Sequence, residues 1–356
     1  MLPTSQYEVQ EAVLQSSVPL RVRGGGSKSA LSTSSSGEAV LELSSLNGVL
    51  EYVPEEFTFT ARAGTQLSEI EDMLAQNGQW LPFDPPLGGR GATLGGALAA
   101  GLSGPGRYRF GGTRDFVLGV QWVSGTGDLL RGGGRVVKNA SGFDFPKMMV
   151  GSLGRFGVVT EVTFKVFPVA QQFSTMVLEC DSLNDALEAM TRLSSCPLDI
   201  FSIDIEPPAT LLVRLAGEGR ALSLRMRRLG ELLGDGEILL GEQEEDLWVQ
   251  LRDFSWLSPG ECLIKVPITP AVIPTLEARL VGEKSQRRYS VGGNLAWIGW
   301  HGDVNEIDII LSESNLSGLR VLGSAGAAWV GAPASAMAFA RRVKDVLDRE
   351  GKFLPI

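Results

Sequence analysis

Glycine is crowded into one stretch of this chain. Twenty of the 70 positions from Gly88 to Gly157 are glycine, against 24 of the other 286. Glycine weakens ordinary helices and strands, and it is useful where backbone turns tightly or lies close against another group. The stretch is interleaved with apolar and charged residues and does not repeat, which argues against a low-complexity linker. A backbone-lined cofactor cavity fits it better. Histidine content points the same way. His301 is the single histidine, so multi-histidine metal chemistry is excluded and a cofactor is left to supply most of any redox or group-transfer reaction.

Bulk properties narrow the class. The 356 residues are enough for two domains. A net charge of −9 argues against a nucleic-acid partner. No apolar run approaches the roughly 20 residues that span a bilayer, and Met1–Glu8 lacks the basic and apolar regions of a signal peptide. Cys180, Cys196 and Cys262 are scattered and odd in number. They suit a reducing compartment and cannot by themselves hold an iron–sulfur cluster or a zinc ion. The expectation is a cytoplasmic protein with no resident metal.

The first 170 residues read as mixed α and β. Ser5-Gln6-Tyr7-Glu8 has the form of a capping box before Val9, Ala12 and Val13. Strands are expected at Leu20–Val22, Val40–Leu43, Phe57–Ala63, Val117–Val123 and Val158–Phe167. In the last of these Val162, Phe164 and Val166 share a face. Leu67, Ile70 and Leu74 predict a helix from about Gln66 to Asn77, ended by Gly78. Beyond Pro168 glycine thins and a β-α-β-β-α pattern follows: strand 173–179, helix 183–193, strands 201–205 and 211–215, helix 221–233. That pattern predicts a ferredoxin-like domain, its sheet completed by strands after Cys262 and around Ser290–Trp300. Ala334–Arg349 reads as a closing helix. The boundary falls near Pro168–Gln172, giving domains 1–170 and 171–330 and a returning tail, 331–356.

Among the glycine arrangements, no Gly-x-x-x-x-Gly-Lys-Ser/Thr run is present. Gly89–Gly95 is only superficially like a dinucleotide fingerprint, and it follows the proline-rich Leu81–Pro86, where the required strand is improbable. Arg23-Gly24-Gly25-Gly26-Ser27 directly after a strand is different. Successive amides there can form a nest for a diphosphate, with the Ser27 hydroxyl as a further donor.

These segments together resemble the FAD-binding domain of the vanillyl-alcohol oxidase/p-cresol methylhydroxylase (PCMH-type) superfamily. They are Pro19–Ser27, Ala63-Gly64-Thr65, Asp84-Pro85-Pro86, Ala92–Gly96, Ser103-Gly104-Pro105, Gly111–Gly119 and Gly151–Glu161, in the family order. The resemblance implies an α+β fold: a two-subdomain PCMH-type FAD domain, then the ferredoxin-like cap, then the C-terminal helix. It also implies one FAD bound by Arg23, Gly24, Gly25, Gly26, Ser27, Pro86, Ala92, Thr93, Gly95, Gly96, Ser103, Gly104, Gly154, Gly157, Val158 and Val159. Where some relatives carry the histidine that tethers FAD covalently, this chain has Gly26, so the flavin is expected to be noncovalent.

Val136–Asp144 is similar to the Val-Val-Lys-Asn-x-x-Gly-Tyr-Asp segment of bacterial glycolate oxidase subunits. The short length and the ending around Arg341-Arg342-Val343-Lys344 resemble the smaller, FAD-binding subunit. Leu354 replaces a family asparagine that touches the flavin. The longer 2-hydroxy acid dehydrogenases carry paired cap histidines that bind a metal; His301-Gly302-Asp303-Val304-Asn305 is only a faint echo of them. The resemblance implies oxidation of glycolate or a related 2-hydroxy acid to the 2-oxo acid. It further implies work beside a longer FAD-containing catalytic subunit and an iron–sulfur subunit, with inner-membrane association only through that complex. Lys138, Asn139, Ser141 and Arg107 are the candidates near the chemistry; no general base stands out. Two alternatives share the FAD domain: a non-catalytic flavin-binding subunit, and an NADPH-using reductase of the UDP-N-acetylenolpyruvoylglucosamine type.

Overall fold

Alternating apolar positions in the first third and around residues 158–165 produce the strands expected of them. The computed structural model describes residues 1–32, 37–134, 143–280, 285–324 and 326–356. It divides into two units: residues 1–104, 111–168 and 333–356 form the first, residues 105–110 and 169–332 the second. The hexapeptide Pro105–Phe110 thus groups with the second unit although it lies inside the first by sequence.

Unit one contains β1 (Leu20–Arg23), β2 (Ala39–Glu42), β3 (Val49–Val53), β4 (Thr58–Arg62), β5 (Gln79–Trp80), β6 (Val117–Val123), β7 (Leu129–Gly133), β8 (Val158–Lys165) and β9 (Phe167–Pro168). Strands β1 and β2 form a parallel pair, and a five-stranded sheet runs β3-β4-β8-β6-β7. Phe59 of β4 pairs with Phe164 of β8, and Phe83 packs on Phe164 at 5.1 Å between ring centroids. This aromatic core is sealed from solvent.

The first helix, Gln6–Gln15, buries Val9, Ala12 and Val13. Its start realises half of the expected capping box. Ser5 Oγ accepts from Glu8 N at 3.2 Å, but the Glu8 carboxylate reaches one residue too far back and accepts from Thr4 N at 2.7 Å. Helix Leu67–Ala75 turns Leu67, Ile70 and Leu74 inward. The closing helix, Ala334–Leu347, sends Lys344 Nζ to the Arg155 carbonyl and to Asp348 Oδ2. Beyond it the chain lies beside β1, with Leu20 N donating to Lys352 O at 2.7 Å.

Unit two is built on one nine-stranded sheet. Its strands are β10 (Gln172–Glu179), β11 (Ile200–Glu206), β12 (Thr210–Gly217), β13 (Glu237–Leu240), β14 (Cys262–Pro267), β15 (Ser285–Ser290), β16 (Leu295–Trp300), β17 (Gly318–Leu322) and β18 (Trp329–Val330). The order β13-β10-β12-β11-β15-β16-β14-β17-β18 contains the ferredoxin-like arrangement twice. Strands β10 to β13 make one β-α-β-β-α-β module, with helices Leu183–Ser194 and Gly219–Leu233. Strands β14 to β17 make a second, with helices Ile273–Leu280 and Val304–Glu313. The halves meet where Ile205 of β11 pairs with Tyr289 of β15. The sequence pattern anticipates one such module; the structure carries two.

The module helices cover one face of this sheet, burying Met190, Leu193, Leu229, Leu276, Ile307 and Leu311 against Ile203, Val213, Ile264 and Ile298. Part of the other face is covered by helix Gly241–Arg252, where Trp248 and Leu251 pack on Leu212. Glu244 there takes both guanidinium bonds of Arg214, at 2.8 and 3.0 Å.

Candidate functional site

Strand β1 delivers the chain into the glycine loop, and the parallel ladder with β2 fixes where that loop begins. Arg23 pairs with Glu42 in the ladder, and their side chains form an ion pair. Hydrogen bonds from Ser44 and then from Arg23 hold the Glu42 carboxyl below its usual range. Past Arg23 the loop borders a cleft in unit one. The mouth of this cleft is open to solvent.

Eleven residues singled out from the sequence line this cleft: Arg23, Gly24, Gly25, Gly26, Ser27, Thr93, Gly95, Gly96, Gly154, Gly157 and Val159. Pro86, Ala92, Ser103, Gly104 and Val158 do not. Ser103 Oγ accepts from Thr113 N at 3.1 Å, and Gly104 N donates to Asp84 O at 2.7 Å, so both brace the neighbouring backbone. Lys138, Asn139 and Ser141 lie outside the described residues. Arg107 lies in unit two, on the short turn Arg107–Phe110.

The glycines are required for a reason beyond ligand access. A Cβ at Gly25 would lie 1.7 Å from the carbonyl oxygen of Gly91, so the loop is pressed against the 91–93 segment before any ligand is considered. Gly26 has φ +73°, a left-handed conformation that L side chains rarely adopt. The amides of Gly24, Gly25 and Gly26 have no protein acceptor among the described residues, which leaves three adjacent donors at the cleft.

Helix Leu94–Ala100, by contrast, has little left to donate at its start. Leu94 N goes to Thr65 O, Gly95 N to Ala63 O and Gly96 N to the Thr93 hydroxyl, at 2.9, 2.8 and 3.2 Å. The glycine loop, not this helix end, carries the free donors.

Sequence reasoning missed Lys28, which lines the cleft with its Nζ 3.3 Å from Ser27 Oγ. Its position directly after the glycine run was the available signal. It also missed the apolar wall of Leu31, Leu43, Ala99, Ala100 and Leu153. The lining therefore holds two cations, a row of free amides, apolar surface and no carboxylate. This donor set fits a diphosphate joined to a flat apolar group, and FAD has that composition.

His301 is exposed at the end of β16. The Asp303 carboxylate beside it accepts from Asn305 N at 3.0 Å and caps helix Val304–Glu313; that backbone bond holds its carboxyl below the usual range. Among the described residues no cluster of three or more His, Cys, Asp or Glu side chains forms a metal site.

Comparison with known proteins supplies the class. Residues 1–133 match the family described as FAD binding domain. Alkyldihydroxyacetonephosphate synthase has the same fold, with a TM-score of 0.73 at 17% identity over 100% of this chain and 76% of that one. The first domain of this chain is a PCMH-type FAD-binding domain, with FAD as the cofactor. Glycolate oxidase subunit GlcE of Escherichia coli (strain K12) is 34% identical over 351 residues, spanning 98% of this chain and 94% of that one. The chain belongs to that family of FAD-binding glycolate oxidase subunits. D-2-hydroxyglutarate dehydrogenase of Xanthomonas citri pv. viticola is 33% identical over 188 residues, 51% of this chain but only 39% of that longer protein. Among the described residues no helix is long and apolar enough to cross a membrane.

Proposed function

We propose that this chain is the smaller FAD-holding subunit of a glycolate oxidase-type complex that converts a short 2-hydroxy acid to its 2-oxo acid. The observation that carries the reading is the acid-free cleft, where the free amides of Gly24–Gly26 adjoin Lys28. Those amides and the ammonium would hold the diphosphate, with Ser27 as a further donor. Leu31, Leu43, Ala99 and Ala100 would cover the apolar end of the cofactor and exclude water from it. A bound FAD would supply the two-electron acceptor for the hydride of the α-carbon, with the hydroxyl proton released to water.

Electrons must then leave the flavin. Cys180, Cys196 and Cys262 are free thiols in separate places, so a partner carrying an iron–sulfur cluster would receive them. A longer flavin subunit would complete the assembly; the Escherichia coli relative is itself named as a subunit. The test is to purify the chain alone and with candidate partners, then follow flavin bleaching and dye reduction with glycolate and D-lactate. Glycolate-dependent dye reduction that needs the partners supports the reading. Rapid turnover by the chain alone, unchanged by them, refutes the subunit role.

A further inference from the structure

The nine-stranded sheet of unit two ends on an unguarded strand. In its order β13 has β10 on one side and no strand among the described residues on the other. The strand at the opposite edge, β18, is only two residues long. By contrast β13 has four, paired with β10 in unbroken register from Glu237 to Leu240, and it holds no lysine, proline or bulge of the kind that blunts an edge. Two of its side chains are aliphatic and out in solvent: Ile238 is 42% exposed and Leu240 60%. They stand opposite Met176 and Ser174 of β10, which places them on the face that helix Gly219–Leu233 covers. Glu237 and Leu239 take the other face.

A groove runs beside this edge. Ile238 and Leu240 line it together with Leu222 and Met226 of the helix and Ser174 of β10. Ser174 is 1% exposed, and its hydroxyl has no partner among the described residues. Glu242 and Glu245, at the start of helix Gly241–Arg252, add carboxylates to the lining. Arg214 is the one cation there, and Glu244 already takes two of its guanidinium bonds. The local sequence carries the same bias: residues 229–251 hold seven acidic residues and no lysine or arginine. Glu244 is answered by Arg214 and Glu231 by Arg227. Glu237, Glu242 and Glu245 have no cation among the described residues.

We infer that β13 and this groove dock an extended segment of a partner protein, one in which aliphatic and basic residues alternate. The segment's main chain takes up the free edge of β13 by strand addition. Its successive side chains then fall on opposite faces. Aliphatic ones enter the groove beside Ile238 and Leu240, and lysines or arginines meet Glu237 and the unanswered carboxylates of Glu242 and Glu245. Ser174 offers the segment a hydroxyl that the protein itself leaves unused. Charge decides between occupants. Two copies of this chain paired through β13 would set Glu237, Glu242 and Glu245 against their own counterparts, and like charges across a strand pair destabilise it. A basic partner turns the same carboxylates into attractions. The inference rests on the subunit reading above only for there being a partner; the surface itself owes nothing to the flavin cleft.

The probe is a capped seven-residue peptide alternating lysine and valine, titrated calorimetrically into the FAD-loaded chain. One saturable site per chain is expected, with the amides of Glu237–Leu240 slowed in hydrogen exchange. Ile238→Lys and Leu240→Lys should each weaken binding by roughly tenfold or more. Both side chains are exposed and neither lines the cofactor cleft, so melting temperature and flavin content should stay those of the wild type. A peptide with proline for its central valine keeps the charge and loses a main-chain donor, and should bind at least roughly tenfold more weakly. One with glutamate for lysine should not bind. The inference is overturned by the absence of a saturable site, by wild-type affinity in both lysine variants, or by equal affinity for the proline peptide, which would reduce the contact to charge alone. A dimer of the free chain in sedimentation equilibrium, dissociated by Leu240→Lys, would assign the edge to a second copy and overturn it too. Peptide binding by a chain that turns over glycolate rapidly without partners keeps this inference and defeats the subunit reading. Partner-dependent turnover with no peptide binding does the reverse.

Discussion

Lys344 and Asp348 form a buried ion pair, 2.6 Å between Nζ and Oδ2, that locks the end of the closing helix to the segment after it. The same carboxylate accepts from Lys352 N and Phe353 N, at 2.9 and 3.0 Å. Phe353 in turn bridges to Leu20 at the head of β1, and β1 leads into the glycine loop. A contact far along the sequence therefore supports the strand that leads into the cleft's glycine loop.

Asp348→Ala leaves the Lys344 ammonium buried without its partner. Breaking such a pair costs about 3–5 kcal/mol, and the released segment loosens β1. Urea unfolding should show the loss in stability, and equilibrium dialysis should show weaker FAD binding. Unaltered flavin affinity in a destabilised variant would separate the tail from the cleft and contradict this account.

Gly25→Ala places a methyl group against the Gly91 carbonyl. Overpacking of this kind costs about 1–3 kcal/mol, and here the backbone that must give way carries the free amides. FAD affinity should drop by roughly tenfold or more while the far-UV spectrum stays as it was. If the variant retains wild-type affinity, the loop does not hold the flavin.

Noncovalent attachment follows from Gly26, which has no side chain to form a bond. Acid precipitation should leave all the yellow colour in the supernatant. Flavin carried down with the protein would overturn this.

Asp204 provides a pH signature. It is sealed inside unit two with Ser290 Oγ donating to Oδ2 at 2.7 Å and no partner for Oδ1. Burial raises its carboxyl from 3.8 to about 6, against the opposing Arg288 charge and the Ser290 bond. The folded state thus holds this proton more tightly than the unfolded chain. Its contribution is complete below about pH 4 and is lost as pH rises through 6. An Asp204→Asn variant should match the wild type near pH 4 and exceed it above pH 7, by up to about 3 kcal/mol. Denaturation midpoints across that range decide it; a difference that does not change with pH rules it out.

The legible parts of the sequence were those where one residue type has few alternatives. Gly24–Gly26 after β1 announced the loop, and the alternation in Val158–Lys165 announced β8. Lys28 was illegible because a lysine after a loop is ordinary until a cleft is seen in front of it. The second cap module escaped because nothing local reveals that β15 pairs with β11, a contact about 80 residues away in sequence. Helix Gly241–Arg252 was also missed. Its opening, Gly241-Glu242-Gln243-Glu244-Glu245-Asp246, has no apolar spacing, and the residues that anchor it come only at Trp248 and Leu251.

Unit two is inserted into unit one, and residues 333–356 return to complete what residues 1–168 began. A ribosome adds about 5–20 residues per second, so roughly ten to thirty seconds separate the emergence of β8 from that of the returning segment. Throughout that interval Leu20 waits for Lys352, its hydrogen-bond partner. A nascent chain can thus fold its five-stranded sheet early but can finish the support beneath its glycine loop only after the whole cap has been made. Any truncated product of translation lacks that support, which ties secure flavin retention to complete synthesis.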